Sequence, residues 1–398
     1  MTLHYDRFFP QAVNKALTNE PPGSWIPDVP ENCIRFNAGY PAPDLVPLAG
    51  LQEAVVRLID EEQDLPLQYL GSPRMEGLRQ SVQDRLRFRG ISLSGAELMI
   101  TSGAAQAIDL VGRALLGQED WILVESPTYM EALEIFRNYT DRITGIPVDE
   151  QGIQTDLLRQ LLDKNREAGR AMPKFVYTIP SFQNPTGTTM SAERRQQLLQ
   201  LAAEYDFLIV EDDAYGELAF AEPPVPLKAH DTAGRVIHIG SYSKVIAPGV
   251  RIGWIAAPQR LIEAFDWFKK DLNASFVQAT VAAYLEKLDF PLHLETLRNA
   301  YRARRDLMLE CLEQAMPKQV RWLVPEGGYF VWIDVPGTDT GELLTKALQL
   351  GVSYVPGKYF FVEPADGKSL LRLSFSYVDL EQIRLGITRL AKAIAESD

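Results

Sequence analysis

Cysteine is scarce: Cys33 and Cys311 are the only two, and they show no C-x-x-C spacing. No disulfide framework can be built from them, and both are expected to be reduced, buried thiols. The four histidines (His4, His230, His238, His293) are scattered, with no H-E-x-x-H or facial-triad spacing. A catalytic metal is therefore not expected. Long apolar runs are missing as well; the densest, near Phe207, stops at Glu211-Asp212-Asp213, short of the ~18 residues of a membrane helix. The opening MTLHYDRFFP has no basic start leading into an apolar core, so no secretory signal is read and a soluble, cytoplasmic protein without a membrane partner is expected. Positive charge is in deficit, with 40 basic against 53 acidic residues and a net charge of −13. That field repels phosphate backbones and argues against a nucleic-acid partner, but not against small anions, which respond to local charge. Glycine-rich cofactor loops are absent too. There is no G-x-G-x-x-G, and Gly367-Lys368-Ser369 only imitates the end of a P-loop, because Val362 stands where the first glycine is required.

What is present is a globular chain of 398 residues, 46% apolar and 23% charged, long enough for two or three domains or one large α/β unit. A chain of this size buries about 75% of its unfolded surface and needs no metal or disulfide staple. Many prolines between 18 and 48 predict an extended arm, and helical spacing follows over 51–63. From about 97 the pattern alternates. Apolar, β-branched runs at 121–124, 174–179, 207–210, 235–240 and 252–257 predict buried strands. Helical spacing at 105–116, 128–137, 155–164 and 191–205, the last with Ser191 as N-cap, fills the gaps between most of them. Strands alternating with helices predict an α/β three-layer α/β/α large domain with a mostly parallel sheet. After about 260 come a long helical stretch to 316, short strands at 329–334, 352–355 and 370–375, and a closing helix at 379–396. That pattern predicts a smaller α+β domain. The expected division is an arm at 1–50 packing with the small domain, a large domain at 51–285 and the small domain at 286–398.

Ligands of parallel α/β sheets sit beyond the carboxyl ends of the strands, so the residues after each run carry the functional reading. The run at 207–210 leads into Glu211-Asp212-Asp213-Ala214-Tyr215. The two preceding runs lead to Ser181-Phe182-Gln183-Asn184-Pro185-Thr186-Gly187 and Glu125-Ser126-Pro127-Thr128-Tyr129. The run at 235–240 leads to Ser241-Tyr242-Ser243-Lys244 and then Ala247-Pro248-Gly249-Val250-Arg251. Alone, each of these reads as well as an ordinary turn. In order they spell N-P-T-G, D-x-x-Y, S-x-S-K and, at Arg372-Leu373-Ser374-Phe375, R-L-S-F. The set resembles the fold-type I pyridoxal-phosphate transferases, specifically the class I/II aminotransferases and their 2-aminoadipate/kynurenine aminotransferase-like branch. The resemblance runs from Phe36-Asn37-Ala38-Gly39-Tyr40-Pro41 to Phe375.

The resemblance implies the cofactor pyridoxal 5'-phosphate and a role for each matched residue. Lys244 should hold the cofactor aldehyde as a Schiff base and then carry the proton. Asp212 should pair with the pyridine nitrogen. Asn184 and Tyr215 should donate to the phenolic oxygen, and Tyr129 should stack on the ring. The phosphate should take backbone N–H groups at Gly103, Ala104 and Ala105, the hydroxyls of Ser241 and Ser243, and Arg251. The two alanines supply no side-chain donor, which increases reliance on the other groups. Arg372, with Asn184 and the backbone at Gly39, should receive the substrate; the planar guanidinium fits an α-carboxylate. Tyr69, in Gln68-Tyr69-Leu70-Gly71-Ser72-Pro73 with Gly77-Leu78-Arg79, resembles a family tyrosine that reaches the cofactor phosphate of a neighbouring subunit, implying a homodimer with shared sites. Gly327-Gly328-Tyr329-Phe330 resembles the start of a small-domain strand with a structural role. The expected reaction is a ping-pong exchange of amine between an α-amino acid and a 2-oxo acid such as 2-oxoglutarate or pyruvate. No arginine lies between Arg7 and Arg35, and the arm offers Trp25 and Tyr40, which points to an apolar or aromatic donor. Two other readings use the same motifs: a lyase or aminocyclopropane-carboxylate-synthase-like enzyme, and an effector-sensing domain of a transcription regulator.

Overall fold

The computed structural model describes the chain except residues 1–3, 19, 20, 22, 24, 26, 27, 70, 272, 397 and 398. Part of the proline-rich segment therefore lies outside the described residues. The large sheet has eight strands, in the spatial order Leu98–Thr101, Gly253–Ala256, Val236–Ser241, Leu208–Asp212, Phe175–Thr178, Ile122–Ser126, Ile143–Asp149 and Gly152–Ile153. The five strands from Val236–Ser241 to Ile143–Asp149 pair in parallel. Gly253–Ala256 is antiparallel to both of its neighbours, and Gly152–Ile153 is antiparallel at the far edge.

The continuous apolar runs have a direct cause in this sheet. Successive side chains point to opposite faces, and helices cover both. Ile122, Val124, Phe175, Tyr177 and Val210 face a core completed by Ala107, Val111, Leu133, Phe136 and Phe265 from three helices. Leu123, Val176 and Ile209 face the opposite core, with Leu158, Leu162, Leu198 and Leu201 from two others. This is the three-layer α/β arrangement. Ser191 caps the helix Ala192–Tyr205, its hydroxyl accepting from the Arg194 amide at 3.3 Å.

The helical stretch expected over 260–316 is three helices, Gln259–Phe268, Ser275–Leu285 and Phe290–Ala315. Asn273 in the first gap has φ +54°, and Asp289 caps the third helix by accepting from the Leu292 amide at 3.1 Å. Apolar residues run on across the breaks: Gln259–Phe268 buries Ile262 and Phe265, and Ser275–Leu285 is buried continuously from Gln278 to Tyr284. Helix Arg74–Phe88 and strand Ile143–Asp149 had no clear signal. The helix buries only Leu78, Val82 and Leu86 in a charged segment, and the strand contains Pro147 near its end.

The second sheet is antiparallel, ordered Arg321–Trp322, Phe330–Asp334, Leu370–Ser374, Val355–Pro356. The strand expected at 352–355 is two separate pieces. Val352–Ser353 pairs in parallel with Ile34–Arg35, whereas Val355–Pro356 joins the second sheet. Between them the buried Tyr354 donates its hydroxyl to the Thr340 carbonyl at 2.6 Å. The Ser374 amide donates to the Phe36 carbonyl at 2.7 Å, and Phe36 is fully buried. These contacts bring residues 37–40 to the gap between the two sheets. Among the described residues, no helix is long and apolar enough to cross a membrane.

At the crossing of the large sheet with helix Ala104–Leu115 the backbones touch. A Cβ on Gly253 would lie 2.6 Å from the Gly103 carbonyl carbon and 2.9 Å from the Ala104 nitrogen. Gly253→Ala should therefore destabilise the fold by about 1–3 kcal/mol, as overpacking does, read as a lower urea midpoint with unchanged slope. Gly249→Ala, where nothing lies within 4 Å, should stay within about 0.5 kcal/mol of the parent.

Candidate active site

A cavity of about 240 Å³ lies where the large sheet's carboxyl edge, the arm and the second sheet meet. Asp212 and Ser241 are the last residues of their strands, and Tyr129, Asn184 and Lys244 follow within a few residues of theirs. Parallel strands with helices behind them leave only this edge free for polar side chains.

Asp212 is buried. Tyr177 donates its hydroxyl to Asp212 Oδ2 at 2.7 Å, while Oδ1 is buried and makes no hydrogen bond of ordinary geometry among the described residues. Burial pushes its carboxyl up to about 6, because desolvation disfavours the charged form. The same physics acts oppositely on Lys244, whose ammonium is lowered to about 8 by burial. Its Nζ donates to the Gly39 carbonyl at 2.8 Å and lies 5.7 Å and 5.9 Å from the ring centres of Tyr215 and Tyr329. Tyr215 is buried, which raises its hydroxyl above the usual range.

A second group gathers around the start of helix Ala104–Leu115. Gly103 caps this helix at φ +84°, and a Cβ there would lie 2.5 Å from Arg251 Nη2. Glycine is required on both counts. Arg251 donates from Nη2 to the Ser102 carbonyl at 3.0 Å, and no carboxylate among the described residues pairs with it. Ser241 Oγ donates to Ser243 Oγ at 2.8 Å and in turn accepts from the Ser243 amide at 3.0 Å. A cation, two hydroxyls and a helix N-terminus together make an anion cradle. Ala104, Ala105, Ser241, Ser243 and Arg251 line the cavity; Gly103 backs it.

The third group surrounds Arg372, which is 3% exposed. Its Nη1 donates to Asn184 Oδ1 at 2.8 Å and Nη2 to the Asn37 carbonyl at 3.1 Å, while Nε is buried without a partner. Phe330 lies under the guanidinium at 4.2 Å. Burial lowers Arg372 to about 10, which still leaves a cation at neutral pH. No carboxylate among the described residues forms an ion pair with it, though the charge of Glu131 favours the cation from further off. Because Asn184 Oδ1 accepts from Arg372, its NH₂ is left to donate.

All the expected site residues but Gly103 and Tyr69 line this one cavity. Tyr69 is 91% exposed and lies apart from it. Sequence reasoning missed Glu131, Asn37, Phe330 and Tyr177. Tyr129 donates its hydroxyl to Glu131, so the two meet at the cavity wall. Phe330 has a part in the site beyond the structural role expected of its segment. Tyr177 lies in a strand and reads as core; nothing in the sequence marks its hydroxyl as the partner of Asp212.

The residues fit pyridoxal phosphate. The buried, unpartnered Oδ1 of Asp212 is what a protonated ring nitrogen needs, and an anion cradle, an amine and a free amide donor share the same cavity. Residues 40–390 match the family model for aminotransferase class I and II. An aromatic-amino-acid aminotransferase of Thermococcus litoralis is 40% identical over 99% of this chain and 96% of its own length. A 2-aminoadipate transaminase of Thermus thermophilus is 36% identical over 91% of this chain and 90% of its own length. The crystal structure of a multiple substrate aminotransferase from Thermococcus profundus superposes with a TM-score of 0.90 at 39% identity, covering 99% of both chains. Family model, sequence relatives and fold agree: this chain is a member of the class I and II aminotransferases.

Proposed function

We propose that this aminotransferase takes its amine from an apolar or aromatic α-amino acid and passes it to a 2-oxo acid such as pyruvate or 2-oxoglutarate, in two half-reactions at the cavity around Lys244. The observation that carries this reading is the convergence of Lys244, the unpartnered Asp212 Oδ1 and the unneutralised Arg372 in one cavity. The aromatic wall of Tyr40, Trp25 and Phe330 and the name of the Thermococcus litoralis relative support the donor class.

Pyridoxal phosphate supplies an aldehyde that takes the amine and a ring that draws electrons from the substrate α-carbon. The chain supplies the rest. Asp212 Oδ1 holds the ring nitrogen's proton, and Tyr177 fixes the other carboxylate oxygen. The Asn184 amide and the Tyr215 hydroxyl would donate to the ring oxygen, and the Tyr129 ring would pack against the cofactor. Gly103, Ala104 and Ala105 offer backbone N–H groups to the phosphate, with Ser241, Ser243 and Arg251. Arg372 takes the α-carboxylate, for which Nε is a donor still free. Lys244, lowered to about 8 by burial, holds the aldehyde and, as a neutral amine, moves the proton at the substrate α-carbon.

The working unit in this reading is a homodimer with shared sites. Tyr69 is exposed beside Leu65 and Leu67, and Leu48 and Val56 expose further apolar surface on helix Leu48–Glu62. A second copy seated there buries them and brings Tyr69 to the partner's phosphate cradle.

Four outcomes test the reading. Lys244→Ala should lower turnover by at least ~10²–10⁴-fold while cofactor still binds non-covalently; borohydride should fix the cofactor of the parent enzyme to Lys244 in a peptide map, and a label on another lysine contradicts the assignment. Arg372→Ala should weaken donor and acceptor half-reactions alike, by about 1.5–3 kcal/mol in kcat/KM; loss with one co-substrate only would make Arg372 a reader of side chains. Mixed dimers of Lys244→Ala and Tyr69→Ala subunits should regain activity that neither homodimer has, since one site then holds both residues. Silence from demonstrated mixed dimers places the two residues in one subunit's site. With an amino donor alone, the aldehyde absorbance should disappear and return on adding a 2-oxo acid; steady ammonia release marks a lyase instead.

A further inference from the structure

The cavity holds one acid that the assigned roles leave unused. Glu131 is the second residue of helix Met130–Arg137. A glutamate in a first turn is ordinary, since it faces the positive end of the helix dipole. This one lines the cavity instead of bulk solvent, together with Trp25, Tyr40 and Met130. Among the described residues, its one hydrogen-bond partner is the Tyr129 hydroxyl, at Oε2. No cation among the described residues forms an ion pair with Glu131. After burial itself, the Glu131 carboxylate is the largest influence on the Lys244 ammonium, raising it, ahead of Asp212. Its charge is thus felt at the reacting amine.

Resting on the aminotransfer reading above, the geometry imposes an order on a bound substrate. The α-carboxylate is taken by Arg372 and the α-amine by the position of Lys244. The side chain then has the wall of Tyr40, Trp25, Met130 and Glu131. Arg137 and Lys358 line a neighbouring cavity and not this one. The two cations that feel the charge of Glu131, Lys244 and Arg372, are taken up by the amine and the α-carboxylate, so a second carboxylate on the substrate meets that charge without a further cation to offset it. A phenol, indole or amine donor meets a free acceptor oxygen.

We propose that Glu131 is a specificity residue that disfavours substrates with a second carboxylate, so that monocarboxylic 2-oxo acids and apolar or hydrogen-bond-donating amino acids are the preferred pair. Rejecting a competitor by an unpaired like charge is a general route to selectivity.

Glu131→Gln removes the charge and keeps an oxygen for the Tyr129 hydroxyl. The measurement is kcat/KM for 2-oxoglutarate divided by that for pyruvate with the same cofactor-loaded enzyme, which cancels any loss common to both. The ratio should rise about tenfold, the scale of removing one like charge at close range in a partly screened site. A ratio within twofold of the parent overturns the proposal and leaves Glu131 a support for Tyr129. A second measurement needs no variant: pentanoate should compete with the amino donor about tenfold more tightly than glutarate, its equal in chain length, in the parent enzyme. Equal or reversed inhibition constants overturn the proposal as well. Absence of amino transfer with every donor overturns the function and this inference together; an active enzyme with an unmoved ratio overturns only the role of Glu131.

Discussion

A full positive charge in the interior organises this molecule. Arg372 sits in the strand Leu370–Ser374 and is almost wholly buried, a placement that is costly unless its donors are satisfied. Two of them are satisfied from outside its own sheet. Asn184 comes from the edge of the large sheet, and the Asn37 carbonyl comes from the arm. Phe330, diagonal to it on the adjacent strand, and Phe360 present their ring faces to the guanidinium at 4.2 and 5.1 Å. Three parts of the chain that are remote in sequence are thereby held around one cation. Its Nε has no partner among the described residues.

The same exclusion of water shapes the two titrating groups at the centre. Asp212 is raised and Lys244 lowered, each because burial penalises its charged form. Neighbours refine this without reversing it. Tyr177 donates to one oxygen of Asp212 and so favours its ionised form, and Glu131 favours the charged form of Lys244. An acid and an amine drawn toward each other in pKa suit a reaction in which protons shuttle near neutral pH. The cavity lies where the parallel strands end, and two helices reach it with their first residues, Ala104 and Ala105 from one and Met130 and Glu131 from the other.

Much of this was legible in the chain before its fold was known. The buried parallel strands declare themselves as continuous apolar runs because both faces are covered. Asn184, Asp212, Ser241 and Lys244 stand directly after such runs, so their place at the carboxyl edge followed from the strand pattern. Elements with weaker local signals were harder to read. The break near Asn273 separates a helix with one buried stripe from one buried all round, and the division of 352–355 into two pairings depends on which partner each half meets. Neither leaves a mark in hydrophobic periodicity.

The sequence by itself determined the α/β class, the order of the strands along the chain, and the family motifs that name most of the cavity's residues. These are local matters: a run of apolar residues, a turn, a lysine after a strand. Only the tertiary structure decided that Tyr177 reaches across to Asp212, that Phe330 lies beneath Arg372, and that Glu131 turns into the cavity and not toward solvent. It also decided that Tyr69 stands outside its own chain's site. Each of these depends on the direction of a side chain relative to an element far away in sequence. That direction is set by packing and crossing geometry, which no short window of residues contains.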